Sequence, residues 1–252
     1  MEYVICVPSF KRPELCNEKT LTMLHKNKIP AKKINVYVAN IEEFEEYKQK
    51  LNREYYNEII IGKVGLVKQR QFIMNQFKKN TNLIFIDDDV SAVDLSLSMF
   101  KNKSLHQFFE YAFHICYKEN SYIWGVYPVY NPFFRKDRKE ITTDLNLIVG
   151  AFYGIINRPK LKSIQLTNAD EKEDTYRTIK YFIQDGIVIR FNKVGFQTKY
   201  YGKSGGMGNK TKRLKPSVDA SNKLKELYPE YGNVFIRKNG IGEFKLKKNV
   251  SI

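Results

Sequence analysis

The sequence has no uninterrupted apolar stretch of the roughly 18 to 20 residues that a bilayer-crossing helix needs, so none is expected. It opens Met1-Glu2-Tyr3-Val4-Ile5-Cys6-Val7, with an acid where a signal peptide carries base and an apolar part too short for export. The expected location is cytoplasmic, without secretion. Cysteine is sparse: Cys6, Cys16 and Cys116 are odd in number and lack metal-ligand spacing, which argues against a disulfide framework and predicts reduced, structural thiols. His25, His106 and His114 stand too far apart to share a metal. No internal repeat is present. Acid is the remaining shortage. There are 27 Asp and Glu against 43 Lys and Arg, and a formal net charge of +16 suits a polyanionic partner, nucleic acid foremost. The alternative source of that charge is a lysine-rich proteome with an A·T-biased genome, which the Asn, Ile, Lys and Tyr usage also fits.

What the chain does contain is 42% apolar and 14% aromatic residues in a length of 252, enough for one large α/β domain with a C-terminal extension. Strands are predicted at 3–7, 34–38, 58–61 and 83–86, alternating with helices at 13–26, 41–51 and 65–78. Pro13 is well placed in a first helical turn. That βαβαβαβ order implies a mostly parallel sheet with right-handed crossovers. Further on, the pattern predicts a helix at 104–117, a strand at 122–129, and a strand pair or strand-turn at 146–157 containing Gly150 and Gly154. A helix at 172–184 follows, Gly186 breaks it, and strands are expected at 187–191 and 197–201. Residues 203–216 show no periodicity and read as a mobile loop with Gly205, Gly206 and Gly208. The tail offers a helix at 219–227 and a weak hairpin at Asn239-Gly240. The main domain is set at 1–216, in halves 1–90 and 91–216, and the extension at 217–252.

The most informative feature is Asp87-Asp88-Asp89 after the apolar run Leu83-Ile84-Phe85-Ile86. Such a run reads as a buried parallel strand, so the acids emerge at its carboxyl end, where open α/β sheets bind ligands. Stacked carboxylates there need a counter-charge, and a divalent cation beside a diphosphate supplies one. Oxygen ligands favour Mg²⁺ or Mn²⁺. The plainer reading is a solvated turn, or N-caps for Ser91-Ala92-Val93. Val7-Pro8-Ser9-Phe10-Lys11-Arg12-Pro13 follows the first strand and forms a loop that could hold a base and its ribose. Glu173-Asp174 opens a helix, where a carboxylate can accept a proton from an attacking hydroxyl, or simply cap the helix. Basic residues gather at Arg135, Lys136, Arg138 and Lys139 and again at Lys199, Lys203, Lys210, Lys212, Arg213 and Lys215. Tyr130, Phe133, Phe134, Tyr200 and Tyr201 are interleaved, as in a groove that tracks a nucleic-acid backbone.

VPSFKRPE, Gly65, Arg70 and FIDDD together resemble the nucleotide-sugar half of GT-A glycosyltransferases. The resemblance implies that Pro8, Ser9 and Arg12 contact the nucleotide, and that Arg70, with Lys68, nears its uracil or phosphates. Both of these could equally be solvated helix charges. It implies Asp87 and Asp88 at the ribose or sugar, and Asp87 and Asp89 at the metal. Glu173-Asp174 resembles the acceptor motif of inverting members, making Asp174, with Glu173, the candidate base. Gly150 and Tyr153, in Gly150-Ala151-Phe152-Tyr153-Gly154, would lie where acceptor meets donor sugar. Gly205 and Gly206, flanked by Lys203 and Lys210, would close over the diphosphate. The late histidine that often completes the metal site is missing, since no His follows His114.

Together with the length and basic charge, these motifs resemble a narrower group, the TET-associated and base J-type DNA glycosyltransferases of phages and large DNA viruses. The resemblance covers about residues 1 to 215. It implies transfer of a hexose, glucose first, from a UDP-sugar to a 5-hydroxymethylcytosine or 5-hydroxymethyluracil hydroxyl in DNA, with Mn²⁺ or Mg²⁺, in a bacterial host cytoplasm or infected cell. Arg135, Lys136, Arg138, Lys203 and Lys210 would meet the DNA. A GT-A enzyme acting on a glycan or lipid, and an inactive nucleic-acid-binding relative, are the alternatives. A metal-dependent nucleotidyltransferase would ordinarily carry a Gly-rich signature that residues 8–12 do not supply.

Overall fold

In the computed structural model, residues 1–166, 171–198, 210–247 and 250 are described, the side chains of residues 210–212 excepted. β1 Val4–Pro8 leads through α1 Pro13–Cys16, a π turn at Asn17–Leu21 and α2 Thr22–Lys26 to β2 Ile34–Val38. Next come α3 Ile41–Lys50, with Asn40 accepting the Glu43 N–H at 2.9 Å as its N-cap, then β3 Glu58–Ile61, α4 Leu66–Gln76 and β4 Asn82–Ile86. Within this half the pairs β3-β2, β2-β1 and β1-β4 are all parallel. Every residue of β4 is buried, as expected of a strand covered on both faces. The loops following β1 to β4 therefore open on one edge of the sheet, the carboxyl edge.

β5 Ala92–Asp94, α5 Leu105–Lys118, β6 Ile123–Tyr127, β7 Ile141–Thr142, β8 Phe152–Ile156, α6 Glu173–Asp185 and β9 Ile189–Gln197 complete the sheet. Its order is β3-β2-β1-β4-β8-β6-β9-β5, with β7 also on β9. β8 runs antiparallel to β4 and β6, β6 runs parallel to β9, and β5 and β7 run antiparallel to β9, so most strands share one direction. Alternating side chains feed two cores: Ile84 and Ile86 pack with Phe108, Phe109 and Trp124 on one face, Leu83 and Phe85 with Tyr153, Ile179 and Phe182 on the other. The three cysteines are buried and unbridged. No helix among the described residues is long and apolar enough to cross a membrane.

Several expectations need correction. The strand pair at 146–157 is one strand, β8, preceded by an extended loop. The strand expected at 187–191 is the start of a longer one, β9, which begins at Ile189 and ends at Gln197 with a register shift against β6; of the strand expected at 197–201, residues 199–201 lie outside the described residues. Ala92 and Val93 open β5, with Ser91 just before it, so the acids precede a strand and cap no helix there. Of the expected loop at 203–216, residues 210–216 are the start of α7 Lys210–Leu227, which contains Pro216 and crosses the 216/217 boundary, and 203–209 lie outside the described residues. The hairpin is present as β10 Gly232–Ile236 and β11 Gly242–Leu246. Leu224, Tyr231 and Phe244 join the core on the α6 side.

Candidate active site

At the carboxyl edge lies a cavity of about 390 Å³. Pro8, Ser9, Phe10 and Arg12 come to it from the loop after β1, Ala39 from beyond β2, Lys63 to Leu66 from beyond β3, Gln69 from α4, Asp87 from beyond β4 and Glu171 from before α6. The extended alternation of β4 carries on through the acids: the side chains of Asp87 and Asp89 are 31% and 12% exposed, whereas that of Asp88 is 0% exposed. Asp88 therefore turns inward, a correction to its expected place at the ligand. It accepts from Ser9 Oγ at 2.5 Å, from Arg12 Nε at 3.1 Å and from Arg12 Nη2. Burial pushes its carboxyl up to about 7, with Arg12 opposing that rise. Ser9 Oγ also lies 2.6 Å from Tyr47 Oη, so Asp88 fixes the loop after β1 from beneath.

Asp87 is tied to the second half. Its N–H donates to Ala151 O at 2.9 Å, and its carboxylate sits 3.0 Å from Arg70 Nη2. Burial raises its pKa and Arg70 opposes. Arg70 is itself buried, donating to Gly150 O at 2.8 Å and pairing with Glu173. Glu173 uses its other oxygen on Arg177 Nη1 at 2.5 Å. Three expectations change here. Arg70 orients Asp87 instead of reaching the nucleotide directly. Glu173 is a clamp between two guanidiniums, since taking a proton would forfeit both ion pairs. A Cβ at Gly150 would collide with Glu173 and lie 2.9 Å from Arg70 Nη1, so this glycine makes room for the pair rather than for an acceptor. Tyr153 is buried as well, stacked on Phe85 at 5.0 Å with the Arg177 guanidinium 3.7 Å from its ring centroid, and it makes no acceptor surface. Lys68 is exposed and is not among the residues lining the cavity, as a solvated helix charge.

Asp174 is half-buried at the start of α6, and one of its oxygens accepts the Thr175 N–H at 2.8 Å. Glu171, which the sequence did not single out, lines the cavity and forms a two-point pair with Arg213 at 2.8 and 3.0 Å. Phe10, Lys63, Val64, Leu66 and Gln69 were likewise missed. Gly65, at φ +97°, was the one signal of a special turn there. Arg135 is 0% exposed, donating to Lys193 O and to Tyr130 O at 2.7 Å and pairing with Asp94; it anchors its loop and does not face DNA. Lys136 and Arg138 are exposed. Lys203, Gly205 and Gly206 lie outside the described residues, as does the Lys210 side chain.

Asp87 and Asp89 fit a hard divalent cation in kind: two carboxylates two residues apart, both on the outer side of the strand end, with Asp89 also receiving the Thr198 hydroxyl. No cluster of three His, Cys, Asp or Glu that could hold a metal occurs among the described residues. Magnesium-type sites of one or two carboxylates take their remaining oxygens from water and substrate phosphates.

No protein-family model and no curated protein matches the chain. Among solved structures it is similar to the mannosyltransferase PcManGT from Pyrobaculum calidifontis, in complex with GDP-Man and Mn²⁺, at 13% identity and TM-score 0.55, over 89% of this chain and 64% of that one. It is similar to S. aureus TarS in complex with UDP at 14% identity and TM-score 0.50, over 89% of this chain and 66% of that one. Glucosyl-3-phosphoglycerate synthase from Mycobacterium tuberculosis, in complex with Mn²⁺, UDP-Glc and phosphoglyceric acid, matches at 9% identity and TM-score 0.52, over 98% of this chain and 88% of that one. The chain thus spans just under two thirds of the first two. What is common at these identities is the fold, and it is the GT-A glycosyltransferase fold.

Proposed function

We propose that the protein is a metal-dependent glycosyltransferase that moves a hexose, glucose foremost, from a UDP-sugar to the hydroxyl of a 5-hydroxymethylpyrimidine in DNA. The observation that carries the reading is the cavity at the carboxyl edge with Asp87 on its wall and Asp89 two residues on, in a GT-A fold. The nucleotide-sugars and Mn²⁺ in the similar solved enzymes support the donor and the metal. The charge of +16 supports the acceptor.

In this reading Pro8, Ser9 and Phe10 enclose the nucleoside, with Ser9 and Arg12 held in place by Asp88. Lys63 supplies a cation to the donor's charge, and Lys203, Gly205, Gly206 and Lys210 belong to a segment suited to cover the diphosphate. Mn²⁺ or Mg²⁺ at Asp87 and Asp89, when bound, offsets charge on the leaving diphosphate. The acceptor oxygen attacks the anomeric carbon as the bond to the diphosphate oxygen breaks, and Asp174 takes the hydroxyl proton. Incubation with a panel of UDP-sugars and DNA containing 5-hydroxymethylcytosine, 5-hydroxymethyluracil or neither, read by mass spectrometry of the nucleosides, tests this directly. A hexose on the modified nucleoside is the expected product. UDP release with no change in any DNA would move the acceptor to a glycan or lipid.

A further inference from the structure

Arg138 and Arg190 form a cationic cluster that lacks an acid. Their guanidinium carbons lie 4.3 and 5.5 Å from the centroid of the Tyr127 ring. Arg190 is fixed by amides, donating through Nε to Asn192 Oδ1 at 2.8 Å and through Nη2 to Asn146 Oδ1 at 2.9 Å. Arg138 Nε donates to Phe134 O at 2.9 Å. No carboxylate among the described residues pairs with either arginine. Burial, above all, lowers the pKa of Arg190 to about 10, and Arg138 adds like-charge repulsion against the favourable effect of Tyr127. Two guanidiniums set against one tyrosine ring, near enough for Arg138 to oppose the charge on Arg190 and without a paired carboxylate, call for the counter-charge of an oxyanion brought by a ligand.

The surroundings narrow the anion. Phe133 and Phe134 are 64% and 56% exposed and meet edge to face at 5.4 Å, with Lys136 Nζ 4.9 Å from the Phe133 ring centroid. The buried Arg135 holds this loop in place, so the rings are displayed rather than loose. Exposed aromatics beside cations suit unpaired bases and their phosphates. Asn146, which orients Arg190, is four residues from Gly150, which accepts from the Arg70 that orients Asp87, so chain length limits the separation to about 14 Å.

We propose that Arg138 and Arg190 form a subsite for a phosphodiester of the acceptor strand, with Phe133 and Phe134 offering faces to neighbouring bases. This rests on the nucleic-acid reading of the acceptor. The test measures affinity for a short duplex bearing 5-hydroxymethylcytosine against salt, for wild type, Arg138→Ala and Arg190→Gln, with binding of inorganic phosphate and of phosphatidylglycerol vesicles in parallel. Each substitution should lower the magnitude of the salt slope by about one, the loss of one neutralised phosphate. Duplex binding with equal slopes overturns the subsite while leaving the DNA acceptor standing. No duplex binding even at low salt removes both. Vesicle binding lost in Arg138→Ala would give the cluster to a lipid headgroup, and phosphate binding lost without a change in duplex slope would give it to a small phosphate; either overturns the proposal. If Arg190→Gln does not fold, the exposed Arg138 decides alone.

Discussion

Glu173 and Asp174 are adjacent in sequence and differ in surroundings. Glu173 lies between two buried guanidiniums, so Glu173→Gln leaves charge uncompensated and is expected to destabilise the fold by about 3–5 kcal/mol, measured by denaturant unfolding. Asp174 has no such clamp. Asp174→Asn should leave stability near wild type and lower kcat by a factor on the order of 10² to 10⁴ with UDP-sugar affinity kept, as for loss of a general base. Glu171→Gln is the control, because Glu171 lines the donor cavity and its loss should appear first in donor affinity. If kcat instead collapses in Glu171→Gln and survives in Asp174→Asn, the base is Glu171. At the metal, Asp89→Asn should fold normally and lose most turnover, and EDTA should abolish turnover in wild type. Full activity of Asp89→Asn in excess EDTA would remove the metal from this site.

At the scale of elements, β9 shows how packing decides what local pattern leaves open. The strand runs through Gly195, where a side chain would meet Val129 O at 2.5 Å and Arg135 Nε at 2.7 Å, so the close approach of the loop after β6 requires the glycine. Gly195→Ala should therefore cost about 1–3 kcal/mol and loosen the loop at 128–140, seen as faster amide exchange there. The parallel half was legible because its strands read as short apolar runs between helical segments, the central β1 and β4 being almost wholly buried; β2 and β3 fall at the predicted residues. That the loops after β1 and β4 meet at one cavity was legible because both leave the carboxyl edge of a parallel sheet. Arg135 was not, since a charge in a basic run reads as solvated and its partner Asp94 is 41 positions away. Asp88 was hidden for a related reason: three equal acids differ only by the direction in which the strand end turns them. α7 was obscured by Pro216 and by a lysine-rich start without apolar period.

For the whole molecule the question is whether +16 is a property of the proteome or of a partner. The cations divide on this point. Arg12, Arg70, Arg135, Arg158 and Arg177 are committed to internal acids and would be retained whatever the protein binds. Lys136 and Arg138 are exposed on the loop after β6, a strand that runs in the same direction as β4, so this loop opens on the edge that holds the cavity. A partner that reads these two cations approaches the edge that holds the cavity, and its binding is expected to be salt-dependent. If about five phosphates are neutralised, raising salt from roughly 50 to 200 mM should weaken duplex affinity by about three hundredfold to a thousandfold. Neutralising Lys136 and Arg138 together, with Arg135 left in place to hold the loop, should flatten that dependence. A merely inherited charge predicts weak binding that the pair of substitutions scarcely changes, because the remaining surface lysines would do as well. Duplex affinity measured across that salt range for wild type and the double variant separates the two, and equal slopes would remove this edge from the acceptor path.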